Sequence, residues 1–145
     1  MYKHILIPTD GSSLSDMAVR QGIALAKSLG ARVTSLTVTP TFHTFAVEPM
    51  MIADTPTQFE TDSAAWAAKC LAAVTAVAGA AGVQCKTVHA IHDRPYESII
   101  ETAKREGCDL IFMASHGRKG VSALVLGSET TKVLTHGKTP VLVCR

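Results

Sequence analysis

Leu110-Ile111-Phe112-Met113-Ala114-Ser115-His116-Gly117-Arg118-Lys119-Gly120 continues through Val121-Ser122-Ala123-Leu124-Val125-Leu126 to Gly127-Ser128. The apolar run at its start reads as a strand buried on both faces. A helical pattern with good N-terminal chemistry follows Gly127. Glycines, two cations and hydroxyls lie between them. A glycine-rich turn leading into a helix start is suited to phosphate: the backbone can come close, and the first N–H groups of the helix point at the anion.

Working outward, a second loop of the same kind opens the chain. Ile5-Leu6-Ile7-Pro8 reads as a buried strand within 2–8, and Pro8-Thr9-Asp10-Gly11-Ser12-Ser13 turns from it into a helix ending at Gly30. A strand at 32–39, a helix at 58–81, a strand at 84–91, a helix at 95–106 and a strand at 109–114 come next. A helix at 128–135 and a strand at 139–144 close the chain. This β-α-β-α-β-α-β-α-β alternation predicts one α/β domain over 1–145: a single doubly wound, five-stranded parallel sheet with helices on both faces. In the order 3-2-1-4-5 the first and fourth strands are neighbours across the switch point, where doubly wound sheets bind ligands. The irregular segment 41–57, with two prolines and several large apolar residues, reads as a flap over a ligand or an interface segment.

The chain has 145 residues, 47% hydrophobic and 18% charged, with a formal net charge of +2. That is enough apolar material for a core covered on both sides and too little positive charge to point to nucleic acid. The N-terminus shows no signal-peptide pattern, and no apolar run approaches the roughly 20 residues that span a bilayer. A cytoplasmic protein without a membrane partner is therefore expected. Cys70, Cys85, Cys108 and Cys144 form no CxxC pair, and the six histidines show no metal-ligand spacing.

The loop residues admit more than one role. Asp10 is either a ribose or metal ligand or the N-cap of the first helix. Ser128 either donates to phosphate or caps the helix it starts, with Thr131 as an alternative cap. Arg118 and Lys119 either screen phosphate charge or are solvated loop cations. His116 lacks an evident nucleophile and partner acid, so no catalytic role is assigned. The P-loop, the G-x-G-x-x-G fingerprint after the first strand and the G-x-S-x-G elbow are all absent.

Taken together, Ile5-Leu6-Ile7-Pro8-Thr9-Asp10-Gly11-Ser12, Met113-Ala114-Ser115-His116-Gly117, Leu126-Gly127-Ser128 and Pro140-Val141-Leu142-Val143 resemble the universal stress protein family along the whole chain. Nucleotide-binding members of that family carry G-x2-G-x9-G-[ST]. Here Gly117, Gly127 and Ser128 match, while Ala114 stands at the first glycine. The resemblance implies an ATP site. Asp10 would contact the ribose and the Val38 backbone the adenine edge. Pro8, Thr9, Met113 and Ala114 would line the pocket. Gly117, Gly127, Ser128 and Glu129 would surround the phosphates, with Mg or Mn. It also implies a homodimer through the strand at 140–144, whose open edge invites pairing.

Three readings follow. The first is an ATP-binding stress or signalling module with little or no intrinsic catalysis. The second is a nucleotide-free dimeric interaction protein, if Ala114 closes the site. The third, an ATP-dependent transferase, lacks its S-G-G-x-D-S or H-x-G-H signature. Ala114 weakens binding if the motif glycine is needed for close packing, and is tolerated if only its extended backbone is used.

Overall fold

The computed structural model describes residues 1–43, 55–117 and 125–145. The elements are β1 (His4–Pro8), α1 (Ser13–Leu29), β2 (Arg32–Thr39), α2 (Pro56–Ala81), β3 (Cys85–Ile91), α3 (Pro95–Glu106), β4 (Leu110–Ala114), α4 (Ser128–His136) and β5 (Val141–Cys144). All pairings are parallel, in the order β3-β2-β1-β4-β5. The expected doubly wound sheet is thus the fold, with β1 and β4 adjacent.

Alternation along the central strands divides the core into two layers. Ile5, Ile7, Leu110 and Phe112 face α1 and α2, packing with Ala18, Val19, Ile23, Val74 and Ala78. Leu6, Ile111 and Met113 face the opposite layer, built on Ile99, Ala103 and Val133 of α3 and α4. Strands covered on both faces bury nearly every side chain, which is why β1 and β4 read as unbroken apolar runs. The contact between α1 and the sheet is close: a Cβ at Gly22 would lie 2.7 Å from Ile7 Cδ1.

The helix ends follow from local chemistry. α1, α2 and α3 stop at Gly30, Gly82 and Gly107, each left-handed with φ between 63° and 72°, a conformation other residues adopt only with strain. The second helix starts earlier than the sequence reading placed it. Thr55 caps it by accepting the Gln58 N–H at 3.1 Å, and Pro56 takes the first helical position. Residues 55–57 therefore belong to this helix and its cap. Of the segment read as a flap or interface, 44–54 lies outside the described residues. Its entry is held by Asp93 in the β3–α3 turn, whose carboxylate accepts Thr41 N at 3.0 Å and Thr41 Oγ1 at 2.7 Å and pairs with His43 Nε2 at 2.9 Å. These bonds hold the Asp93 carboxyl down at about 2, the Thr41 hydroxyl contributing most.

One sequence expectation needs correction. Helix α2 is long and apolar enough to cross a membrane by length and composition, with a mean hydropathy of 1.5 over its best window. The apolarity is spread over alanines and so forms no run of large residues. In the fold, Phe59, Ala67, Leu71, Val74 and Ala78 of this helix are buried.

Candidate functional site

The β1–α1 turn is built by its own side chains. Thr9 N donates to Leu36 O at 2.9 Å, and Thr37 Oγ1 donates to Thr9 O at 3.1 Å, so the strand end is fixed to β2. The Thr9 hydroxyl is shared between Ser15 Oγ at 3.1 Å and the Gly11 N–H at 3.3 Å. Thr9 is therefore committed to the turn. Ser12, not Asp10, is the N-cap of α1: its Oγ accepts the Ser15 N–H at 3.2 Å. Asp10 sits two residues before this cap, and its Oδ1 accepts the Ser12 N–H at 3.0 Å. Gly11 has φ 74°, and a Cβ there would lie 2.9 Å from Cys70 Sγ and 3.8 Å from Trp66 Cζ2. One turn of α2 thus backs the Asp10 turn.

Among the described residues, the second loop approaches the first at Gly117. Gly117 is exposed, and a Cβ at that position would collide with Asp10 Oδ2. Gly127 closes the other end of the loop. Its N–H donates to Ser115 O at 2.8 Å, and a Cβ there would lie 2.8 Å from the same oxygen and 3.3 Å from His116 Cα. Residues 118–124, with Arg118 and Lys119, lie outside the described residues.

Gly127 is the N-cap of α4 and supplies no side-chain cap. Ser128 is exposed at the first helical position, and the Thr131 hydroxyl donates to Gly127 O at 3.0 Å. Neither residue caps the helix, which removes that alternative. The first-turn N–H groups of a helix have no partner in the helix, and the positive end of the helix dipole lies behind them. Sequence reasoning missed Thr130. Its buried hydroxyl donates to Ala114 O at 3.1 Å and Ser115 O at 3.2 Å, pinning α4 to the end of β4. The only hint was a threonine three residues after Gly127.

Met113 and Ala114 end β4 on opposite faces. Met113 packs in the α3–α4 layer and Ala114 in the α1 layer, each less than a tenth exposed. Ala114 is paired to Cys144 in extended backbone, and among described residues only glycines have positive φ. Ala114 therefore carries no backbone strain, and its methyl group is buried in the core. Its neighbour Ser115 bonds His116 Nδ1 at 2.9 Å, while His116 Nε2 is buried with no hydrogen-bond partner among the described residues.

Val38 completes the crevice from β2. The ladder from β2 to β1 uses alternate residues: Arg32 N donates to Lys3 O, and Leu36 O accepts from Thr9 N. The next residue in this series is Val38. Pairing with β1 ends at Pro8↔Leu36, so the Val38 N–H and C=O point beyond the end of β1. Pro8, Asp10, Val38, Ala114, Gly117 and Gly127 thus come together around the carboxyl ends of β1, β2 and β4. The Glu129 side chain does not join them: it turns to α3, where Oε2 accepts Tyr96 N–H at 2.8 Å. A cavity of about 610 Å³, lined by Leu71, Thr75, Thr87 and His89, lies elsewhere, between α2 and the outer edge strand β3.

The sequence profile of the Universal stress protein family matches residues 1–145. The chain is 30% identical to universal stress protein MJ0531 of Methanocaldococcus jannaschii, over all of this chain and 83% of that protein. Its fold superimposes on that of UspA from Lactobacillus plantarum with a TM-score of 0.82 at 26% identity, covering 99% and 98% of the two chains. Two more distant structures share the fold. One is a universal stress protein in complex with cAMP, with a TM-score of 0.74, 20% identity and coverage of 99% and 97%. The other is the Archaeoglobus fulgidus universal stress protein in complex with dAMP, with a TM-score of 0.63, 15% identity and coverage of 99% and 98%. The chain belongs to the universal stress protein family.

Proposed function

We propose that the protein binds an adenine nucleotide, ATP first among them, in the crevice between the β1–α1 and β4–α4 loops. On this reading it is a stress-response or signalling module with little or no turnover. The carrying observation is the start of α4, where a glycine N-cap leaves the first-turn N–H groups without a side-chain cap and the Asp10–Gly117 contact lies across the same crevice. The first supplies donors for phosphate, and the second places a carboxylate for ribose hydroxyls. The outward-facing Val38 backbone supplies a donor and acceptor for the adenine edge. Ligands of this class, cAMP and dAMP, are bound by two proteins of the same fold.

Ala114 fits this reading, because its methyl group is in the core and its backbone is extended. A Mg²⁺ or Mn²⁺ ion also fits, held chiefly by phosphate oxygens and water as magnesium is in most nucleotide sites. The described residues gather no group of three or more His, Cys, Asp or Glu side chains that could cage one. Homodimerisation through β5 and a cytoplasmic location belong to the same proposal.

The test begins with the protein as purified. Denaturation followed by ion-exchange analysis of the supernatant should release ATP, ADP or AMP in near-stoichiometric amount. Added ATP should raise the melting temperature, since a ligand bound only by the native state stabilises it. No released nucleotide together with no thermal shift would leave the nucleotide-free dimer as the reading.

A further inference from the structure

Glu129 follows Ser128 directly, yet its carboxylate is spent on another helix. Tyr96, which receives it, is the second residue of α3. That helix begins Arg94-Pro95, and its N-cap Arg94 makes no side-chain cap bond. Pro95 has no N–H and the Glu97 N–H donates to Arg94 O at 3.1 Å, so in this first turn Tyr96 is the residue that needs an acceptor from outside. Glu129 Oε2 supplies one, and its charge sits at the positive end of the α3 dipole. Oε1 pairs with Lys132 Nζ at 3.2 Å. The same ammonium lies 5.4 Å from the centroid of the Tyr96 ring, and the Tyr96 hydroxyl donates to Glu97 Oε1 at 3.0 Å. One side chain thus ties the start of α4 to the start of α3.

We infer that Glu129 is a positioning residue, whose carboxylate locks the first turn of α4 so that its N–H groups are preset for the phosphates of the ligand. This rests on the nucleotide reading above. Thr130 fixes that turn to β4 from one side, and Glu129 fixes it to α3 from the other. Donors held in place before binding lose less entropy on binding than donors that must be ordered by the ligand. The same contact draws a negative charge away from the phosphate crevice and sets it against α3 and Lys132.

The test compares the full-length protein with Glu129→Ala and Glu129→Gln. Gln retains an acceptor for Tyr96 N–H. Without ligand, amide exchange at Tyr96 should speed up in Glu129→Ala and stay near wild type in Glu129→Gln. In titrations followed through Trp66 emission, Glu129→Ala should weaken ATP about tenfold, the scale of one hydrogen bond to a charged group. Adenosine should bind it as it binds wild type, and Glu129→Gln should recover most of the ATP affinity. Unchanged Tyr96 exchange in Glu129→Ala would overturn the inference, whatever the nucleotide result. So would faster exchange with unchanged ATP affinity, or equal losses for ATP and adenosine, and in both cases the nucleotide reading survives. Wild-type protein that binds neither ATP nor adenosine would refute the nucleotide reading itself and, with it, the positioning role.

Discussion

The Asp10 carboxylate lies against the backbone of Gly117, so that a methyl group at position 117 would fall on Asp10 Oδ2. The two residues are far apart in sequence and reach each other because β1 and β4 are sheet neighbours. Their contact joins the two loops that make the candidate site.

Gly117→Ala and Gly127→Ala should separate binding from folding. The neighbour at 117 is the end of a side chain, which can rotate away. The fold should therefore change by no more than about 0.5 kcal/mol, while ATP affinity falls because the carboxylate is displaced. The neighbour at 127 is a backbone carbonyl, Ser115 O, at 2.8 Å. It cannot yield, so Gly127→Ala should cost about 1–3 kcal/mol of stability. Urea unfolding and isothermal titration on both variants check this, and a strongly destabilised Gly117→Ala would contradict it.

Ala114→Gly restores the motif glycine and should not improve binding. The Ala114 side chain is buried in the core layer that faces α1. Removing it deletes a buried methyl group and loosens a strand, at a cost of about 1 kcal/mol. Calorimetric titration with ATP should give an affinity within about threefold of wild type, well under the tenfold that marks a 1.4 kcal/mol interaction. A gain of tenfold or more would show that the methyl group obstructs the nucleotide.

On the proposed β5 interface, the wild-type protein should run as a dimer and Val143→Pro as a monomer with the fold spared. In β5, Pro140 O and Cys144 O accept from β4, so by alternation even-numbered residues face β4 and the Val143 N–H faces the open edge. Proline removes that donor without touching the β4 ladder. Light scattering after size exclusion should give a monomer with wild-type circular dichroism. A surviving dimer would place the interface elsewhere.

Stability should fall on acidification below the ordinary histidine range. His4 is 6% exposed; its Nε2 bonds Thr34 Oγ1 at 2.8 Å, and its Nδ1 is buried with no partner among the described residues. Burial, reinforced by the Arg32 charge, pushes its pKa below 6.5. Burial does the same to His89. The unfolded chain therefore takes up protons first as pH falls. The stability these neutral rings contribute is complete above 6.5 and declines as pH drops toward their lowered folded values, by up to ~1.4 kcal/mol per pH unit for each group. Urea midpoints measured at about pH 7.5 and about pH 5.5 should differ, and His4→Gln should reduce the difference. An unaltered difference in that variant would exclude His4 as a source.

The parts of the fold legible in sequence were those governed by local rules. Gly30 and Gly107 end their helices because only glycine takes the left-handed turn cheaply, and Pro95 starts α3 because its missing N–H is not needed there. Where two residues competed for one local role, reading failed. Asp10 and Ser12 are both good caps; Ser12 takes the role, while the Asp10 carboxylate accepts the Ser12 N–H and lies beside Gly117. Ser128 looks like a cap and is displaced by Gly127, whose N–H must reach Ser115 O. Thr55-Pro56 carried a valid start signal for α2 that was absorbed into the loop before it.

The sequence by itself determined the element order, the buried central strands and the presence of two glycine-bearing loops at strand ends, because periodicity and turn chemistry are properties of neighbouring residues. Only the tertiary structure decided what those loops meet. That Asp10 touches Gly117, that the methyl group of Ala114 enters the core, that Val38 points past the end of β1 and that Glu129 caps a different helix all depend on strand register and helix packing. These relations join residues distant along the chain, and no local pattern encodes them.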